Sequence, residues 1–468
     1  MESHDELLAR YDGVARLLKG IILQGKKIAV VTHIDADGLT SGSIVFKALK
    51  RRGANVLVRT VPDLDPKRIG ELADEKYDFY LFTDLGSTLL NELSTAFDGK
   101  FLAVDHHQIP DEDAKSPFTV NAWQFGYNGG TEACSGTMAY FLASALDGRN
   151  RDLSPLAVVG AVADRQDTGP GRSLIGLNKR ALEDAQSAGL VTVTNDLMFH
   201  GRETRPVHEA IALTSTPHIK GLSGSRDATL AALVNAGVSL KEGGRWRTLS
   251  ELSGDEKKRV MDVLVSFLAP SGSGDEVISQ LIGEVYTLEQ EDSFTPMRDA
   301  REFATMLNAC GRMDQAGVGI SVCIGDRGDS LKEAMGVLQE YRQNINKSLQ
   351  GVLNEVGRVE VRDGAAMVKG DGLVDERILG PVASILASTE SMKDKVIIAR
   401  TRSGEEQLKF SCRVGDSFGR DVNLGVIMRE AATLMGGVGG GHTMAAGAKI
   451  PFGRGDDFLK IVLEKTAV

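Results

Sequence analysis

Cysteine is scarce, and the four present, at positions 134, 310, 323 and 412, form no CxxC pair. Neither a zinc knuckle nor a disulfide framework is therefore expected, and the four read as buried thiols. Aromatic residues make up only 5% of the chain, too few for an extended base-stacking surface. No hydrophobic run approaches the roughly 18 residues a membrane span needs, and Met1 to Gly20 is a charged amphipathic segment rather than a signal peptide. A cytoplasmic protein without membrane association is expected. Basic charge is also in deficit: the net charge of −10 argues against a protein that coats nucleic acid generally. That deficit is uneven, because the segment from Arg358 to the end carries 16 basic and 15 acidic residues and the remainder stands at −11. A local nucleic-acid track is more at home in the C-terminal part.

What is present is ordinary globular material, 42% hydrophobic and 25% charged, in a chain of 468 residues that suits two or three domains. Strand-like and helix-like runs alternate from Lys27 to about Asp111. The strands are Lys27 to Thr32, Asn55 to Val61, Asp78 to Phe82 and Lys100 to Val104, and the helices are Leu39 to Arg52, Pro66 to Glu75 and Thr88 to Phe97. Such alternation predicts an α/β fold with a parallel sheet. Helical stretches follow after the turn Gly129 to Glu132, running to Asp147, and from Pro155 to about Ala163. Between Gly201 and Asp326 the pattern is irregular, with a Ser/Gly turn at Ser271 to Gly274 and a helix from Met297 to Cys310. Leu331, Met335, Leu338, Tyr341, Ile345, Leu349 and Leu353 give one helical stripe. Strands Arg358 to Val361, Lys395 to Thr401 and Gln407 to Val414 then alternate with helices Gly380 to Ser388 and Leu424 to Met435. The expected organisation is a catalytic domain over 1–200, a mostly helical insert over 201–328, a connector helix over 329–357 and a smaller α/β domain over 358–468.

Three short polar stretches end three of the first strands: His33-Ile34-Asp35-Ala36-Asp37-Gly38, Thr83-Asp84-Leu85-Gly86 and Asp105-His106-His107. Strand ends in an open α/β sheet form the crevice where ligands bind, so these residues should converge although they are distant in sequence. Taken singly, each has a plainer reading: an Asp after a strand is usually a turn former or a helix cap, and Asp35 to Gly38 could simply begin the next helix. Together they would place carboxylates close enough to repel, which bound cations relieve. A divalent-metal site is the expectation. Asp167, near the end of the Pro155 helix, reads as a turn residue.

A glycine run, Gly436-Gly437-Val438-Gly439-Gly440-Gly441-His442, follows the helix that ends at Met435. Closely spaced backbone N–H groups on such a run can cradle a phosphate, and His442 could add a directed hydrogen bond. A hairpin loop is the plain alternative. Arg402 and Arg413, on the preceding strands, could point into the same groove, where guanidinium forks match phosphate oxygens.

These motifs resemble the DHH phosphoesterase superfamily, through His33 to Gly38, Asp84, Asp105 to His107 and Asp164 in order, with the glycine run ending at His442 similar to its DHHA1 domain. Within it, the chain is most similar to archaeal RecJ-like nucleases, in the stretches Gly201 to Pro206 and Arg301 to Arg312. The resemblance implies a phosphodiesterase using two divalent cations, Mn²⁺ preferred or Mg²⁺, that degrades single-stranded DNA or RNA from an end, 5′ to 3′, in replication or repair. It also implies a partner, the GINS complex. By position, Asp35, Asp84 and Asp164 with His33 would bind one metal. Asp37 and His106 would hold the other, with Asp84 bridging. Asp105 would orient an imidazole, and His107 would contact the scissile phosphate or a metal-bound water. Arg402, Arg413, Gly439, Gly440, Gly441 and His442 would bind the strand. Two other readings stay open: a hydrolase of short oligonucleotides, cyclic dinucleotides or pyrophosphate, and a replisome scaffold subunit bound to GINS.

Overall fold

A computed structural model of the protein describes residues 2–109, 116–214, 219–268, 281–362, 364–389, 391–415 and 417–466. The Ser271 to Gly274 turn lies outside the described residues. The chain forms two compact units: Met1–Ile211 with Ala231–Leu338, and Ala212–Leu230 with Gln339–Val468.

In the first unit, helix α1 (Glu2–Leu23) precedes strand β1 (Lys27–His33), α2 (Ala36–Arg51), β2 (Asn55–Val61), α3 (Pro66–Asp74), β3 (Phe79–Thr83), α4 (Leu90–Phe97), β4 (Phe101–Asp105) and β5 (Thr119–Asn121). All five strands are parallel, in the order β2-β1-β3-β4-β5. The expected parallel sheet is present, and the order reverses between β1 and β3, where α/β sheets open a crevice beyond their strand ends. Side chains alternate across this sheet. Ala29, Val31, Tyr80, Phe82, Phe101 and Ala103 pack with Ile69 and Leu72 of α3 and with Leu90, Leu93 and Phe97 of α4. On the other face lie α2 and α5 (Ser135–Leu146), and α6 (Ser154–Ala163) packs on both. Their small residues permit close approach: a Cβ on Gly160 would sit 2.4 Å from Asp37 Oδ1.

After α7 (Gly176–Ser187) comes β6 (Val191–Leu197), then α8 (Val207–Ala212), α9 (Arg226–Asn235), the two-residue strands β7 (Lys241–Glu242) and β8 (Arg245–Trp246), α10 (Gly254–Leu268) and β9 (Ile282–Leu288). Strand β9 returns to pair antiparallel with β6, a ladder not anticipated from the sequence. Helices α11 (Ala300–Arg312) and α12 (Ala316–Ile324) follow, and α13 (Asp329–Asn354) is the long helix the apolar stripe predicts. Its buried face differs from that stripe in part. Leu338, Tyr341 and Ile345 are buried, but Met335 and Leu353 are 43% and 53% exposed, and Ala334, Val337 and Val352 are buried instead. On a helix of 3.6 residues per turn Met335 and Leu353 both sit on one edge of that stripe, about 60° from Leu338, and the buried face is displaced toward the other edge, where Val337 and Tyr341 lie.

The second unit is built on a six-stranded mixed sheet of β10 (Val359–Arg362), β11 (Ala365–Lys369), β12 (Val396–Ser403), β13 (Gln407–Val414), β14 (Val438–Gly441) and β15 (Ala445–Pro451), ordered β10-β11-β12-β13-β15-β14. Helices α14 (Leu379–Ala387), α15 (Leu424–Leu434) and α16 (Gly455–Thr466) complete it. One sheet face meets α15 and α16 through Ile398, Leu408, Phe410, Cys412, Met428 and Phe458. Phe410 and Phe458 pack with ring centroids 4.6 Å apart and planes tilted by 47°.

Candidate metal centre

Each acidic motif sits where a strand hands over to a turn. Asp35 is the N-cap of α2, in extended conformation, with Oδ1 accepting the Gly38 N–H at 2.9 Å. The plain reading of Asp35 as a helix cap is thus correct. It does not compete with metal binding, because the cap uses Oδ1 while Oδ2 faces His33 Nδ1 at 2.9 Å. Capping fixes the carboxylate's direction. Asp37, in the first turn of α2, is buried, and its two oxygens accept the N–H groups of Ser135 and Gly136 at 2.7 and 2.8 Å. Those amides open helix α5, so Asp37 is held by a helix N-terminus, which favours negative charge. Asp84, immediately after β3, is 2% exposed and has φ of 60°. A left-handed conformation is uncommon for a residue with a Cβ, and such strain concentrates at functional sites.

The convergence expected from the strand ends is observed. Asp84 Oδ2 lies 3.5 Å from His33 Nδ1, and Asp84 Oδ1 lies 3.3 Å from His106 Nε2. His106 Nε2 is also 3.3 Å from Asp164 Oδ2 and 3.9 Å from Asp37 Oδ2. Potential ligand atoms fall into three overlapping groups, His33 with Asp35 and Asp84, Asp37 with His106 and Asp164, and Asp84 with Asp105, His106 and His107, and the two Asp84 oxygens face His33 and His106 respectively. Asp164 therefore falls with Asp37 and His106, whereas the resemblance placed it beside Asp35.

The opposite side of the His106 ring is fixed. Its Nδ1 donates to the Gly129 carbonyl at 2.6 Å, which directs Nε2 at the carboxylates. Gln166 Nε2 donates to the same carbonyl at 2.8 Å, while its Oε1 accepts from Asn178 at 2.7 Å. Gly129 itself is essential to this approach, since a Cβ there would meet the His106 carbonyl oxygen at 1.8 Å. Asp105 is saturated by its neighbours. Oδ1 accepts from the His106 N–H at 2.8 Å and from His107 Nδ1 at 2.8 Å, and Oδ2 accepts from the Ser87 N–H at 3.1 Å. It orients His107, whose side chain is 42% exposed, rather than His106. Trp123 Nε1 and Asn121 Nδ2 donate to the carbonyls of His106 and His107, at 3.0 and 2.9 Å, and fix the backbone of the triplet.

The electrostatics show strong mutual perturbation. Burial and the neighbouring Asp84 and Asp164 carboxylates push the Asp37 carboxyl well above the carboxylate range. Burial, with Asp35 and Asp84, pushes Asp164 up to about 6 despite the opposing pull of His106. Burial works against the charged form of His106, but Asp164, Asp84 and Asp37 outweigh it and raise that imidazole. Burial likewise opposes charge on Asp35, and His33 beside it prevails and holds the carboxyl low. Such a set of carboxylate oxygens and imidazole nitrogens is the donor chemistry that Mn²⁺ and Mg²⁺ take. The residues fit divalent cations, which would remove the repulsion among Asp37, Asp84 and Asp164.

Comparison with known proteins agrees with this geometry. Residues 27–163 match the DHH family N-terminal domain, residues 199–282 the DHH-CID domain and residues 363–467 the DHHA1 domain. Over 468 residues the chain is 30% identical to MJ0831, a Methanocaldococcus jannaschii protein, covering 98% of each. The chain belongs to the DHH/DHHA1 superfamily. Its architecture is RecJ-like. RecJ from Thermus thermophilus, solved in complex with Mn²⁺, superposes with a TM-score of 0.59 at 19% identity, over 98% of this chain and 55% of that one. This chain thus spans about half the length of the Thermus protein. CDC45 from Entamoeba histolytica superposes with a TM-score of 0.66 at 11% identity, over 98% of this chain and 99% of that one. These two likenesses establish the shared fold.

In the DHHA1 unit the glycine run is not a loop. Gly439, Gly440 and Gly441 lie in edge strand β14, opposite Ala448, Gly447 and Ala446. Glycine is required there by packing, because a Cβ on Gly439 would meet the Met428 carbonyl oxygen of α15 at 2.4 Å. His442 is exposed in the turn to β15, its N–H donating to the Ala445 carbonyl at 2.8 Å. Arg413 lies opposite Ala445, near that turn, and is half-buried, donating to Ser384 Oγ at 2.9 Å and to Ser411 Oγ at 3.0 Å. Arg402 is not brought to the same place. It pairs with Leu408 toward the far end of the β12–β13 ladder, on the face Leu408 shares with the core, and its guanidinium covers Phe452 at 4.7 Å.

Several participants were missed. Gly129 acts through its carbonyl and Ser135 and Gly136 through their amides, so side-chain chemistry gave no sign of them. Asp167, read as a turn residue, is a buried ion-pair centre for Arg172 and Arg301, at 3.1 and 2.8 Å.

Proposed function

We propose that the chain is a divalent-metal-dependent phosphodiesterase that removes nucleotides from the end of a single strand, with Mn²⁺ preferred over Mg²⁺. The observation carrying this reading is Asp84, one buried carboxylate that belongs to two ligand groups, with one oxygen facing His33 and the other facing His106. Divalent cations bound there would activate water and neutralise charge on the phosphoryl oxygens. The chain's own residues do the rest. Ser135 and Gly136 amides orient Asp37, and Gly129 holds His106 in the tautomer that presents Nε2. Asp105 holds His107 by Nδ1, which leaves Nε2 for hydrogen bonding to the scissile phosphate. His442, Arg413 and the amides of Gly439 to Gly441 are proposed to bind strand phosphates, so that binding weakens with salt.

Single-strand specificity and 5′ to 3′ polarity follow the likeness to RecJ. The CDC45 likeness raises a scaffold role beside GINS, and the full set of ligand-type residues favours catalysis over it. A length series of single-stranded DNA and RNA, labelled at either end and incubated with Mn²⁺, tests the reading. Mononucleotide release from the 5′ end of long strands supports it. Cleavage restricted to the shortest oligomers would instead indicate a hydrolase of short oligonucleotides.

A further inference from the structure

Helix α11 lies directly against the turn that carries Asp35 and Asp37. Asn308, two turns into that helix, presents Oδ1 to the Ala36 N–H at 3.1 Å. Ala36 is fully buried and is the first residue of α2, so its N–H has no partner within the helix and water does not reach it. One turn later, Gly311 lies against the same segment, where a Cβ would stand 1.7 Å from the Ile34 carbonyl oxygen. The two contacts grip the turn from both sides of Asp35: an acceptor takes the amide after it, and a glycine admits the carbonyl before it. At its other end α11 is anchored independently, because Glu302 is buried and accepts the Glu203 N–H at 2.7 Å and the Thr204 hydroxyl.

We infer that Asn308 is a positioning residue for the metal centre: by satisfying the Ala36 amide it fixes the direction in which the turn presents Asp35 and Asp37. It touches no ligand group itself and acts through the backbone. The inference rests on the metal-dependent reading above. Partners that orient metal ligands typically matter by about 10- to 100-fold in metal affinity. Asn308→Leu keeps the branched outline, though it is larger, and removes the acceptor, and Asn308→Asp keeps the acceptor at unchanged size.

The test is calorimetric titration of the full chain with Mn²⁺, with thermal unfolding of each variant alongside. Wild-type binding separates the two claims, since a wild-type protein that takes no Mn²⁺ would overturn the metal reading itself. Given wild-type binding, Asn308→Leu is expected to weaken Mn²⁺ by about tenfold or more and Asn308→Asp to stay within about threefold. Glu302→Gln, which loosens the far end of the same helix, is expected to lower the melting temperature without that loss of affinity. Asn308→Leu binding Mn²⁺ as tightly as wild type would overturn the inference, as would a Glu302→Gln variant that loses affinity equally.

Discussion

Asp84 is a single residue asked to serve two groups, and its backbone geometry reflects that demand. Its φ is left-handed, and its carboxylate has His33 on one side and His106 on the other. Asp84→Asn keeps the shape and removes the charge. It is expected to lower Mn²⁺-dependent hydrolysis by at least about 100-fold and to reduce the number of Mn²⁺ ions bound, read by calorimetry. A subtler variant tests how tightly Asp37 is held. In Gly160→Ala the new methyl would fall 2.4 Å from Asp37 Oδ1 and 2.8 Å from Thr40 Oγ1, both buried. The carboxylate must move, so Mn²⁺ affinity should drop by about tenfold or more while circular dichroism stays that of a folded protein. At this scale much of the centre was readable from sequence, because His33, Asp35, Asp37, Asp84 and His106 are side chains of ligand type at strand ends. Gly129, Ser135 and Gly136 were not, because a carbonyl or an amide can come from any residue.

Elements were readable in proportion to their contrast. Strands β1, β3 and β4 are apolar runs ending abruptly in charge, and they stand where the pattern predicts. Strands β6 and β9 find each other only across the intervening helices, so neither has a local partner to mark it. Strand β14 was hidden by its glycines, whose role is to admit the α15 backbone. The helical part between β6 and β9 makes its own electrostatic prediction. Arg247 donates to Glu256 in a fork at 2.7 and 3.0 Å and holds that carboxyl down to about 2 against the effect of burial. A folded value below the unfolded one of about 4.5 means the stabilisation is complete above that pH and disappears as pH falls toward about 2. Glu256→Gln should therefore melt below wild type near neutrality, with the difference shrinking between about pH 4.5 and 2. In the second unit, Phe410→Ala removes a fully buried ring packed against Phe458 and should destabilise by about 3–5 kcal/mol, measured by denaturant unfolding.

The whole molecule joins a DHH domain, a DHH-CID domain and a DHHA1 domain in one chain, and the proposed activity divides labour between its two compact units. If the first supplies the reacting centre and the second the strand contacts, variants should separate kinetically. His442→Ala is expected to raise KM for a long strand by about tenfold with a smaller change in kcat, the loss of one hydrogen bond to a charged group. In the sequence, strand-and-helix alternation stops near Gly201 and resumes after Arg358, whereas the compact units divide within α13, between Leu338 and Gln339. Arg402 was misplaced because β12 and β13 could be read as strands without revealing which face each arginine occupies. Among the described residues no helix is long and apolar enough to cross a membrane. The most direct test of the central claim is hydrolysis of a 5′-labelled single-stranded DNA by wild type and by Asp84→Asn, each with Mn²⁺ and with chelator. The account predicts stepwise release of nucleotides by wild type with Mn²⁺ alone, and cleavage that persists in chelator or in the variant would contradict it.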